Sequence, residues 1–142
     1  MTTMSTLSKK LPGPLREHDL LLAVPDSHWP EIASARIDTA SAVFEMKMSP
    51  ELCWFDGHFP SQPVLPGVAQ THWACLLASV IFHQPGEFSA LRRLKYKTPI
   101  LPAQSVYLSL THIVSRDQVS YKYHKDEVEF STGVMVFGNN AV

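Results

Sequence analysis

Asp56-Gly57-His58-Phe59-Pro60-Ser61-Gln62-Pro63-Val64-Leu65-Pro66-Gly67-Val68 is the stretch on which the fold turns. Its first half reads as a stiff loop carrying one histidine. Pro60, Pro63 and Pro66 recur at every third position. Each fixes its own φ and pushes the residue before it towards an extended conformation. Gly57 gives the backbone freedom immediately before His58.

The second half opens a helix, predicted to start at Pro66 or Gly67, because proline is favoured at the first helical position. Most of residues 67–83 are Val, Ala, Trp, Cys, Leu, Ile or Phe. They fall on all sides of a helical projection, which predicts a helix buried all round. Gln70, Thr71 and His72 interrupt the apolar run, which argues against a membrane span of about 20 apolar residues. A buried helix start offers unpaired backbone N–H groups and partial positive charge. His58 precedes it on a rigid loop. A positioned base beside an oxyanion site is what proton abstraction next to a carbonyl requires.

Gly57-His58-Phe59-Pro60, then Pro63, then Pro66-Gly67-Val68, resembles the signature of the 3-hydroxyacyl-(acyl-carrier-protein) dehydratases of fatty-acid synthesis. The motif covers about fifteen residues, and a similar strand pattern extends over residues 40–137. The resemblance implies an α+β hot-dog fold, a long central helix wrapped by a curved antiparallel sheet. It implies water elimination from a 3-hydroxyacyl thioester to give a trans-2-enoyl product. The substrate would ride on the phosphopantetheine of an acyl carrier protein, with no cofactor and no metal. The family's catalytic histidine falls on His58 and its oxyanion glycine on Gly67.

The chain departs from that family at one catalytic position. An acidic residue is expected fourteen places after the histidine, and His72 stands there. Leu76 replaces the glutamine that follows the acid by four. The run Pro66-Gly67-Val68-Ala69-Gln70-Thr71-His72-Trp73-Ala74 is closer to dehydratases of aryl-polyene and related lipid pathways. In the family this position faces the active site across a dimer interface. As imidazolium, His72 would protonate the departing 3-hydroxyl. Alternatively His58 acts as base and then acid, with His72 orienting substrate. On its own, a histidine one turn into an apolar helix reads as a core residue.

Trp54, Phe55, Phe59, Leu65, Pro66, Val68 and Trp73 are candidates for an apolar acyl-binding site, with ordinary packing as the competing reading. Arg92, Arg93, Lys95 and Lys97 form a basic run. It is either a solvated strand edge or a docking site for an acidic carrier protein. The remaining histidines lack metal-ligand spacing, and there is no nucleophile elbow or phosphate-binding glycine loop.

The chain of 142 residues, 45% hydrophobic and 18% charged, with formal net charge −1, fits one domain and gives no electrostatic case for nucleic acid. We expect residues 1–18 to be a flexible arm and 19–142 a single domain. Cys53 and Cys75 have neither metal-site nor redox spacing and are expected as buried free thiols. No secretory signal is evident, so a cytoplasmic location is expected.

Period-two alternation marks strands at Ala42–Met48, Leu91–Lys97, Val106–Leu110, Val119–Tyr123 and Val128–Val136. Leu94 and Tyr96 are expected on a buried face. Ser115-Arg116-Asp117 and Lys125-Asp126 read as turns. One apolar helix with five strands is an α+β pattern in its own right. Because open sheet edges invite pairing, a dimer with itself or with a related subunit is expected. The competing functions are a hot-dog thioesterase, which would need an acidic group near the helix start, and a non-catalytic subunit partnering a true dehydratase.

Overall fold

The computed structural model describes residues 29–55, 63–82 and 88–138. Six strands form one antiparallel sheet: β1 (Glu31–Ile37), β2 (Ser41–Lys47), β3 (Phe88–Tyr96), β4 (Ser105–Ile113), β5 (Gln118–Lys125) and β6 (Val128–Phe137). Their spatial order is β1-β2-β4-β5-β6-β3. One helix, α1 (Gly67–Ile81), falls in the chain between β2 and β3 and packs on one face of the sheet.

The alternation read from the sequence is realised in β2, β4 and β5, while in β6 Ser131 and Gly133, rather than Thr132 and Val134, fall in the rows facing the helix. One cross-strand row runs Phe44, Leu108, Tyr123, Ser131, Tyr96. A second runs Ala42, Leu110, Tyr121, Gly133. Phe44, Leu108 and Tyr123 are fully buried, and with Ala69, Trp73, Ala74, Leu77 and Ala78 of α1 they form the centre of the core. Burying a side chain of this size contributes about 1.5–3 kcal/mol. The turns predicted after β4 and β5 are tight. Asp117 (φ 51°) and Asp126 (φ 53°) adopt the left-handed conformation that aspartate tolerates better than most residues.

Three expectations change. A sixth strand, β1, precedes the predicted first one. Its pattern is broken by a register shift between Ile32 and Ser34, which removes the period-two signal. The helix is not buried all round: Val68 is 68% exposed and His72 is also exposed, so the face carrying them is uncovered in the single chain. Leu94 and Tyr96 are 40% and 52% exposed rather than buried. Both face the helix side, against Gly133 and Gly67, but β3 is the edge strand and carries a bulge at Arg93 (φ 55°) between Arg92 and Lys95. Cys53 and Cys75 are free as expected, but only half-buried.

Gly133 is a packing requirement. A Cβ there would lie 2.6 Å from Cε2 of Tyr121 and 2.8 Å from Cδ2 of Leu94. Tyr121 is 2% exposed and set edge-on to Tyr123 at 5.9 Å, so its ring has little room to retreat. Gly133→Ala is expected to destabilise the fold by about 1–3 kcal/mol, read as an earlier midpoint in urea unfolding.

Candidate functional site

The site is built where α1 begins. Pro66 stands at the helix cap with φ −65° and ψ 150°, and no side chain caps the end. Its carbonyl accepts from the N–H groups of Ala69 (3.1 Å) and Gln70 (3.3 Å). Gly67 and Val68 are the first residues of the helix, whose first N–H groups have no intrahelical partner. An open cleft of about 280 Å³ lies here, lined by Leu65, Pro66, Gly67, Gln70, Tyr96 and Thr98 among others. A larger depression, about 770 Å³, lies on the outer face of the sheet among charged side chains and hydroxyls. The smaller cleft is the one that meets the helix amino end, where unpaired N–H groups give partial positive charge.

The absent side chain of Gly67 has a visible occupant. A Cβ built there would lie 2.5 Å from Cζ of Tyr96 and 2.8 Å from its hydroxyl. The Tyr96 hydroxyl is 3.2 Å from Oγ1 of Thr71, which is 3.2 Å from the Tyr121 hydroxyl. Burial is the main reason the Tyr121 phenol is pushed up to about 12. Burial also holds the Tyr123 phenol well above its ordinary range. Both therefore act as neutral hydrogen-bonding groups at physiological pH. Tyr96 is half-exposed and its ring can swing outward. Gly67→Ala is thus expected to leave the fold standing but to expel Tyr96 from its contact with Thr71. In a double-mutant cycle with Tyr96→Ala, the two positions should couple by about 0.5–3 kcal/mol in unfolding free energy. Additive effects would mean that the ring does not require the glycine.

His72 lies on the uncovered face of α1. Its ring centroid is 6.4 Å from that of Trp29 and 6.3 Å from that of Trp54. Two indoles therefore flank the imidazole on the protein side, and its remaining face is open. The expectation of a core histidine is replaced by that of an accessible one. Trp29 stacks on Trp73 at 6.4 Å, as a packing anchor would. Trp73, Phe55 and Leu65 are buried in the core, and Leu65 and Pro66 also line the cleft. Trp54 is half-buried beside His72, while Val68 points outward. His58 and Phe59 lie outside the described residues.

The basic run divides into two behaviours. Lys97 pairs with Glu129, which also holds Lys122 at 3.1 Å, and these two ammonium groups pull the Glu129 carboxyl down to about 2. Arg93 and Lys95 are exposed and border the outer-face depression with Lys97 and Lys122. Lys97 also reaches the cleft at Gly67.

Sequence reasoning passed over three residues of the site. Gln70 and Thr71 were noted only as interruptions of an apolar run, and Tyr96 only as part of a strand. The signal available was polarity without charge one turn into an apolar helix.

Comparison with known proteins bears on the fold and the family. A family model described as ApeI dehydratase matches residues 34–134. The solved dehydratase heterocomplex ApeI:P from Xenorhabdus doucetiae contains a chain that is 27% identical, with a TM-score of 0.73 over 78% of this chain and 98% of that one. The 3-hydroxyacyl-(acyl-carrier-protein) dehydratase FabZ of Proteus mirabilis is 34% identical over 76 residues, which are 47% of this chain and 51% of the relative. The corresponding enzyme of Fusobacterium nucleatum is 32% identical over 77 residues, 51% of this chain and 52% of the relative. The chain thus spans about half the length of these curated relatives. Thioesterase superfamily member 2 from Mus musculus, 10% identical with a TM-score of 0.57 over 70% of this chain and 75% of that one, shares the fold alone. The six-stranded antiparallel sheet packed on a single helix is a hot-dog fold, and with a family match over most of its length the chain belongs to the ApeI-like dehydratase family.

Proposed function

We propose that the protein is a 3-hydroxyacyl-(acyl-carrier-protein) dehydratase, a hydro-lyase acting in aryl-polyene or fatty-acid-like biosynthesis. The observation that carries this reading is the cleft at the bare amino end of α1, which joins Gly67 to the polar edge of β3. A thioester carbonyl lying against the Gly67 N–H would gain stabilisation as enolate charge develops on its oxygen. His58, as the neutral imidazole, removes the proton from C2. His72, as the imidazolium, gives a proton to the 3-hydroxyl. The C2–H and C3–O bonds break, a C2=C3 double bond forms, and water leaves. The acyl chain would extend along Trp54 and its apolar neighbours, and the phosphopantetheine arm would bring it in from the carrier protein.

Carrier-protein docking on Arg92, Arg93, Lys95 and Lys97 fits the exposure of this run at the edge of the sheet. Docking of an acidic partner by such charges is sensitive to salt. β3 is the last strand of the sheet, and the uncovered face of α1 carries Val68 and His72. Both favour pairing with a second hot-dog subunit, and the similar chain in the Xenorhabdus doucetiae heterocomplex makes a related but different partner the first choice. No helix among the described residues is long and apolar enough to cross a membrane.

The experiment is direct. The protein is incubated with a 3-hydroxyacyl group on an acyl carrier protein, and intact-mass spectrometry looks for loss of one water. Retention of that water by the chain alone and with a hot-dog partner would end the proposal. His72 in the place of an acid favours one other reading, a supporting subunit. In that case turnover appears only when the partner is added, and survives His58→Ala in this chain.

A further inference from the structure

Gln70 is 3% exposed, yet every polar part of it is engaged. Its side-chain Nε2 donates to the carbonyl of Leu65 at 3.2 Å. Its Oε1 accepts from the hydroxyl of Ser131 at 2.5 Å. Its backbone carbonyl accepts from the hydroxyl of Tyr123 at 2.7 Å, and its backbone N–H donates to the carbonyl of Pro66 at 3.3 Å. Gln70 therefore grips the two successive peptide carbonyls that lead into α1. It is itself held by neighbouring strands, Tyr123 on β5 and Ser131 on β6, which face each other in the register.

The consequence is geometric. The Gly67 N–H belongs to the same rigid peptide plane as the Pro66 carbonyl. The backbone N–H groups of Ala69 and Gln70 hold that carbonyl and the Gln70 side chain holds the one before it, so rotation of the plane is restrained from both sides. The N–H of Leu65 donates to Ile100 at 2.8 Å and pins the other side of the same segment. A donor fixed before the substrate arrives contributes more to a developing oxyanion than one that must be reoriented. An apolar side chain of similar volume would fill the space but leave the Leu65 carbonyl and the buried Ser131 hydroxyl without these partners, so the amide ties the helix entrance to β6.

We infer that Gln70 is a positioning residue for the elimination, holding the Leu65–Pro66–Gly67 segment so that the Gly67 N–H meets the thioester carbonyl. This rests on the dehydratase reading above.

The test uses Gln70→Met, which keeps the length of the side chain but removes donor and acceptor, and Ser131→Ala, which leaves Gln70 in place but unanchored. Two quantities are read on folded protein, with any partner the wild type needs. One is the split between kcat and KM for a carrier-bound 3-hydroxyacyl group. The other is the infrared carbonyl stretch of a bound saturated acyl-pantetheine, which cannot lose water. Gln70→Met should lower kcat tenfold or more with KM within about threefold, and should move the bound carbonyl stretch back towards its value in free solution. Ser131→Ala should do the same in part, and it carries the test should Gln70→Met fail to fold. A role in stability alone would not move the carbonyl stretch of the folded, ligand-bound protein. Variants with wild-type kcat and an unchanged stretch would overturn the proposal and leave the dehydratase reading intact. A wild type that neither removes water nor shifts the carbonyl stretch would overturn both.

Discussion

His58→Ala is expected to lower kcat for dehydration of a carrier-bound 3-hydroxyacyl thioester by at least about a thousandfold. The C2 proton beside a thioester is weakly acidic, and water is a poor base for it. A positioned base contributes about 10²–10⁴-fold. A thousandfold loss corresponds to about 4 kcal/mol of transition-state stabilisation. KM should change little, because the imidazole works on the reacting proton rather than on the bound acyl chain. Turnover of the variant within about tenfold of wild type would assign the base to another group.

The second large effect is expected at His72. Hydroxide is a poor leaving group, so protonation at the 3-oxygen is the other half of the barrier. His72→Ala should slow turnover roughly a hundredfold. The thermal midpoint should barely move, since the residue is exposed and its ring is only loosely tilted against Trp29 and Trp54. A finer measurement separates acid from orienter. A substrate with chloride at C3 departs without needing a proton. If His72 is the acid, the deficit of the variant should shrink on that substrate by tenfold or more. An equal deficit on both substrates would make His72 an orienting group. Near-normal turnover of the 3-hydroxyacyl substrate would remove it from the chemistry.

Much of this arrangement was legible in the chain. The order of glycine, histidine and prolines from Gly57 to Gly67 announced a rigid loop and a helix start, and α1 does begin at Gly67. β2, β4 and β5 appeared as clean alternation because each buries one face only, whereas β6 buries Met135, Val136 and Phe137 in succession. What escaped has specific causes. β1 carries alanines and a register break, so its apolar signal is faint. An evenly apolar helix does not say which face a single chain leaves open, and Val68 and His72 emerged only with the sheet in place. Leu94 and Tyr96 do face the helix side, beside Gly133 and Gly67, but β3 is the last strand of the sheet and leaves both partly exposed. The grip of Gln70 was invisible for another reason. Its partners Ser131 and Tyr123 are more than fifty residues away, and no local pattern connects them.

The bond between Leu65 and Ile100 ties the entrance of α1 to the segment joining β3 and β4, some thirty-five residues further along. That segment reads as a passive connector, since it is neither strand nor helix. Yet its length fixes where the Ile100 carbonyl sits. Lengthening it by even one residue is expected to let the doorway of the helix drift.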